Sequence, residues 1–269
     1  MAQVAILTDL SDNAMHAAEH AVRLFGATGN TYLLVHAITD VPVDPYMAQW
    51  TTLELMKTAE EGLQLFTDRF VQSTGAEGVE RRVVYGSLAP VVRNLVVEER
   101  IDLVVMGRRG RARAPFFGSS AVEVIKHSHA TVLVVSENTP FKKVERILLA
   151  DDRKEVLPAD LAPLRTIASL AKAKVLVAHL EIGGPEAKDH WNQGLYELAL
   201  KDVEHSFTSV LESDVVEGIE HLAHERRVEM IAVLHRHLGL LESLFHRSAA
   251  AKLALGTELP LLVLQLGTH

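Results

Sequence analysis

The feature that most constrains this 269-residue chain is a series of short apolar runs that occurs twice. In the first half the runs lie at 4–8, 32–37, 82–85, 103–106 and 131–135. Runs this short, rich in Val, Ile and Leu, suit strands buried on both faces, as in a parallel sheet. Helical spacing fills the gaps. Ser11-Asp12-Asn13 is N-cap material, followed by Ala14, Ala17, Ala18, Ala21, Val22, Leu24 and Phe25 on one face, with Gly26 and Gly29 closing the helix. Further helices are predicted over 47–73, 89–99 and 121–127, the first after a loop at 40–45 with two prolines.

A linker at 138–143 ends the first series, and the pattern starts again. The run 147–151 parallels 5–9, which sets Asp151 beside Asp9. A helix is expected over 158–171. The run 175–179 parallels 32–36, with His179 in register with His36. A long helix is predicted over 191–211, with Trp191, Leu195, Leu198, Phe207 and Val210 as core candidates. Strands follow at 215–218, parallel to 83–86, and at 229–233, parallel to 102–106, and 261–264 closes the half. Strands alternating with helices imply right-handed crossovers in a parallel sheet. The expected fold is α/β: two similar doubly wound domains, 1–137 and 144–269, each a five-stranded parallel sheet with helices on both faces.

Composition narrows the function. The net charge of −8 argues against a general nucleic-acid binder or an anionic-membrane binder. No apolar run approaches the ~20 residues that span a bilayer. With no cysteine, the chain has no disulfide, thiolate zinc site or cysteine nucleophile. Together with a beginning that lacks a signal-peptide pattern, this suits the cytoplasm.

The stretch 101–120 carries the most chemistry. The apolar run 103–106 ends at Gly107-Arg108-Arg109-Gly110, and Gly118-Ser119-Ser120 opens the next helix. Glycine lets a backbone approach a ligand closely, and a helix start presents free N–H groups and partial positive charge. With Arg108, Arg109, Arg111 and Arg113 added, the combination suits a polyphosphate. Taken alone, the same residues read equally well as a solvent loop and a capped helix.

Gly-x-x-Gly, an intervening segment and Gly-Ser, preceded by Gly86-Ser87-Leu88-Ala89-Pro90, resembles the nucleotide loop of the universal stress protein family. Because the series is duplicated, the resemblance covers both halves, as in the tandem form of that family. It implies a Rossmann-like fold of the adenine-nucleotide hydrolase type, with the halves packed as a pseudo-dimer. It also implies ATP or AMP in the first domain, with Mg²⁺ only alongside ATP. Carried over residue by residue, it places Asp9 at the adenosine, the Ala37 backbone at the adenine and Met106 and Gly107 beside the ribose. Arg109, Gly110, Gly118, Ser119 and Ser120 fall around the phosphates. The implied function is a stress-response protein that acts by binding nucleotide and an unknown protein partner, with a homodimer of chains allowed. The alternatives are a scaffold of the same fold without nucleotide, or a weak ATP hydrolase.

Two departures stand out. The segment 111–117 is two residues shorter than in the family and contains Pro115. In the second half Leu234 and His237 stand where the family has glycines, and Arg247 falls at the third, so that site is expected to be empty or closed. No Gly-x-Ser-x-Gly, Walker-type lysine or paired-carboxylate motif is present, which favours binding over fast turnover. His235, His237 and His246, with His221 and His224 nearby, are too weak a pattern to predict a metal. His36 and His179 are expected at sheet ends, and Asp151 carries the same two readings as Asp9, cap or ligand contact.

Overall fold

The computed structural model describes residues 2–38, 48–108, 119–151, 155–182, 193–212, 214–235 and 258–266. The chain divides into two compact units, Met1–Glu137 and Asn138–His269.

In the first unit the elements run β1 (Gln3–Leu7), α1 (Asp12–Phe25), β2 (Thr31–Ile38), α2 (Ala48–Thr74), β3 (Val79–Tyr85), α3 (Leu88–Glu98), β4 (Leu103–Gly107), α4 (Ser119–His127) and β5 (Val132–Val135). The strands are parallel in the order β3-β2-β1-β4-β5. Strand order reverses between β1 and β4, which puts a crevice at their carboxyl ends. Helix α1 packs with α2, and α3 with α4; right-handed crossovers on either side of the reversal set the two pairs on opposite faces. The Ser11 hydroxyl caps α1 by accepting from the Ala14 N–H at 3.2 Å. Four small residues on its buried side, Ala14, Ala17, Ala18 and Ala21, let the helix lie close to the sheet. Gly26, at φ +93°, ends it, and the fully buried Tyr32 donates its hydroxyl to the Gly26 carbonyl.

The second unit holds β6 (Arg146–Asp151), α5 (Ala162–Ala171), β7 (Lys174–Ile182), α6 (Gln193–Ala199), β8 (His205–Glu212), α7 (Val215–Glu225), β9 (Met230–His235) and β10 (Leu261–Gln265). Its strands are also parallel, in the order β8-β7-β6-β9-β10. Each half is therefore a doubly wound domain with a five-stranded parallel sheet, as the repeat implied.

Three expectations for the second half are corrected. The long helix over 191–211 is instead α6, a turn, and β8. Leu200 and Val203 fold back on the end of α6, their N–H groups reaching the Tyr196 and Leu200 carbonyls at 2.8 Å. The residues beyond alternate in burial, and β-branched and aromatic side chains suit that pleat. Leu198, expected in the core, is 60% exposed, while Phe207 and Val210 belong to the strand and Trp191 lies outside the described residues. The strand expected at 215–218 is the first turn of α7. Asp214 caps it, one carboxylate oxygen accepting from Val216 N–H at 2.8 Å and Glu217 N–H at 3.4 Å. Buried Val216, Ile219, Leu222 and Ala223 then follow at helical spacing. The counterpart of β3 is therefore β8.

The third correction is one of register. Val4 pairs with Tyr32, and Ile147 with Val175, so Ile147 matches Val4 and not Ala5. Asp151, opposite His179, occupies the place of Thr8, while Asp9 matches Asp152, outside the described residues.

Candidate functional site

The carboxyl edge of the first sheet gathers the described residues of the predicted site. Asp9 follows β1 by two positions, Ala37 is the next-to-last residue of β2, and Met106-Gly107 ends β4. Helix α4 begins at Ser119, with Ser120 exposed in its first turn. Arg109, Gly110, Gly118 and the segment 111–117 with Pro115 lie outside the described residues.

Asp9 and Gly107 each have a physical reason to be where they are. Asp9 Oδ1 accepts from the Ser11 N–H at 3.1 Å and from the Ser11 hydroxyl. The Thr8 hydroxyl accepts from the Leu10 N–H at 2.9 Å, and Leu10 sits at φ +65°. These bonds hold a non-glycine residue in the left-handed region and hand the chain from β1 into the α1 cap. His36 Nδ1 lies 2.8 Å from the Thr8 carbonyl, which can only accept, so the proton sits on Nδ1. At Gly107 an added Cβ would come within 2.6 Å of Asn13 Nδ2 and 3.0 Å of Asn13 Cγ. A side chain there would have to push the Asn13 side chain aside, because the first turn of α1 closes over the end of β4. The Arg108 N–H continues the ladder to β5, donating to the Val135 carbonyl at 2.7 Å.

One group with no local signal in the sequence also faces this edge. Glu123 of α4 accepts from the Ser87 hydroxyl and, at 3.4 Å, from the Ala89 N–H, so it caps the amino end of α3 from a neighbouring helix. A carboxylate four residues beyond Ser119 gives no sequence-local hint of this, since its partners lie in another helix.

The second unit treats the equivalent edge differently. Asp151 is buried, and its Oδ1 accepts the hydroxyl of the equally buried Tyr196 from α6. His179 Nδ1 lies 3.1 Å from the Asp151 carbonyl and 4.0 Å from Oδ2. The Tyr196 ring meets Phe207 edge-on, with centroids 6.3 Å apart. Asp151 does not cap the following helix, whose N-cap is Leu161, and its carboxylate is engaged with α6 instead. His235 ends β9 buried, whereas His237, His246 and Arg247 lie outside the described residues. Among the described residues no group of three or more His, Asp or Glu side chains could hold a metal ion. No described helix is long and apolar enough to cross a membrane.

Comparison with known proteins agrees with this architecture. The sequence pattern of the "Universal stress protein family" matches residues 1–136. A universal stress protein of Methanocaldococcus jannaschii is 30% identical over 148 residues, 50% of this chain and 82% of its own. One from Thermus aquaticus is 30% identical over 129 residues, 47% of this chain and 93% of its own. The crystal structure of a universal stress protein from Archaeoglobus fulgidus aligns with 99% of this chain and 97% of that one, with a TM-score of 0.69. At 18% identity that likeness shows the fold, and it spans both halves. The chain belongs to the universal stress protein family.

Proposed function

We infer that the first unit binds an adenine nucleotide, ATP or AMP, at the carboxyl edge of its sheet. The chain then acts in the stress response through that binding and through contact with another protein. The observation that carries this reading is convergence: Asp9, Ala37, Met106-Gly107 and the start of α4 at Ser119 all lie at the reversal-point end of one parallel sheet. That is where open α/β sheets take ligands, and the helix start supplies N–H donors for phosphate. Mg²⁺ would enter only with a triphosphate. The sequence carries no Walker-type lysine after a glycine loop, so any hydrolysis would be slow.

Calorimetric titration of the whole chain with ATP and with AMP tests the reading. Saturable heat for one site is expected, weakened at least tenfold by Asp9→Ala and lost in Gly118→Arg. The absence of saturable heat with either nucleotide would remove it. The second reading, a scaffold without nucleotide, draws on one observation: the Asp9 and Gly107 contacts already have structural reasons, in Ser11 and Asn13. Under that reading Asp9→Ala lowers stability and changes no titration. Phosphate release measured on the same samples separates binding from weak hydrolysis.

A further inference from the structure

Two features of the first unit are each unfavourable alone, and they meet at one contact. Leu10 holds φ +65°, a backbone conformation that bulky side chains rarely adopt. Gly62 lies well inside the 27-residue helix α2, where glycine is a poor helix former. A Cβ built on Gly62 would come within 2.8 Å of Leu10 Cδ1. The methyl end of Leu10 therefore fills the notch that the missing side chain leaves. A glycine inside a helix calls for a packing reason, and Leu10 supplies it.

The contact joins two elements that other bonds also hold together. Gly62 sits at the border of the buried face of α2, beside Ala59, Leu63 and Phe66, all buried. Helix α2 packs against α1. An exposed ion pair, Arg69 Nη2 to Asp12 Oδ1 at 3.0 Å, ties α2 to the first turn of α1 as well.

Leu10 stands next to the candidate site. Its N–H donates to the Thr8 hydroxyl at 2.9 Å, and Asp9 Oδ1 accepts from the Ser11 N–H at 3.1 Å. Asp9 is thus inside the short turn that the Leu10 backbone shapes. Rotating Leu10 to an ordinary negative φ would break that turn and redirect the Asp9 carboxylate. The turn alone does not explain a leucine, since glycine or asparagine fits the same φ with less strain. What leucine adds is the reach to Gly62. A strained residue persists where its surroundings over-determine it, and here the surroundings include a second helix.

We propose that Leu10 is a positioning residue for the nucleotide edge: seated on Gly62 of α2, it locks the β1–α1 turn and fixes the direction of the Asp9 carboxylate, so that α2 sets nucleotide affinity through Leu10. The assignment rests on the nucleotide reading above. The test uses the full chain, titrated with ATP and with AMP by calorimetry, and follows amide exchange at Ser11 by NMR. Leu10→Gly is the deciding variant, because glycine takes φ +65° freely and only the seat is lost. Exchange at Ser11 should quicken at least tenfold, and both nucleotides should bind at least fivefold more weakly. Gly62→Leu fills the notch from the other side and should do the same. The double variant should bind no more weakly than the weaker single one, since both changes remove one contact. Arg69→Gln should stay within twofold, because an exposed pair contributes little. A seat that only stabilises the fold would leave affinity unchanged in folded Leu10→Gly, and that result overturns the proposal. A double variant whose losses multiply overturns it too. If the wild-type chain gives no saturable heat while Leu10→Gly quickens exchange, the nucleotide reading falls and the lock on the turn stands. If the wild-type chain binds and Leu10→Gly matches it in affinity and exchange, the lock falls and the nucleotide reading stands.

Discussion

The same strand-end position carries Thr8 in the first unit and Asp151 in the second, each opposite a histidine whose Nδ1 faces its carbonyl. Thr8 uses its hydroxyl locally, to hold the turn at Leu10 that leads to Asp9 and the α1 cap. Asp151 reaches across to α6 and takes the Tyr196 hydroxyl in the interior. The main-chain frame is thus common to both halves, while the side chain decides whether the edge is a turn beside a crevice or a buried polar anchor. A buried carboxylate is tolerable only when hydrogen-bonded, so the second edge has committed groups that the first leaves at the mouth of its crevice.

That contrast can be broken by experiment. The largest effect should come from Tyr196→Ala, which removes both the donor to Asp151 and the ring beside Phe207. We expect a loss of about 4 kcal/mol in urea unfolding. A loss no greater than that of Thr8→Ala would end the distinction between anchor and turn. The next effect is a pH dependence in the first unit. Burial pushes the Tyr32 hydroxyl up to about 12 from its ordinary 10. Because the folded-state value is the higher one, this contribution is complete below pH 10 and is lost as pH rises from 10 through 12. The loss should reach about 3 kcal/mol at the alkaline end, at 1.36 kcal/mol per unit. Tyr32→Phe should flatten that limb of the stability profile; an unchanged limb would show that other groups cause it.

Gly107→Ala should cost about 2 kcal/mol through crowding against Asn13. Asn13→Ala in the same chain should recover part of that loss, because it clears the contact. If the pair is simply additive, the crowding account fails. Smallest of the four, Thr8→Ala should cost about 1 kcal/mol. It should also speed amide exchange at Leu10, which a purely packing role for the threonine would leave alone.

Much of this arrangement was legible in the sequence, and the exceptions have physical causes. The strands were found because parallel strands are buried on both faces and so appear as unbroken apolar runs, as at Leu103 to Met106. Strand β8 is disguised in the sequence because it is half-buried: Phe207 and Val210 are spaced by three, which also suits a helix face. The start of α7 resembles a strand because Val215-Val216 is β-branched, although the Asp214 cap marks a helix. The one-residue error at Asp151 came from matching aspartate to aspartate, whereas the register is set by the histidines. At the site, the sequence marks Gly107 as a glycine with a purpose, but its neighbour Asn13 lies far off in sequence and only the folded chain supplies it. The cap that Glu123 provides to α3 was hidden for the same reason.

The clasp at the beginning of β6 has a mechanical consequence. Glu229 grips two successive amides where the segment 138–145 joins the strand, and β6 is flanked by parallel neighbours on both sides. Tension drawn along that segment would load the whole ladder in shear at once and could not peel it bond by bond. The second unit should therefore resist a pull applied at its leading end.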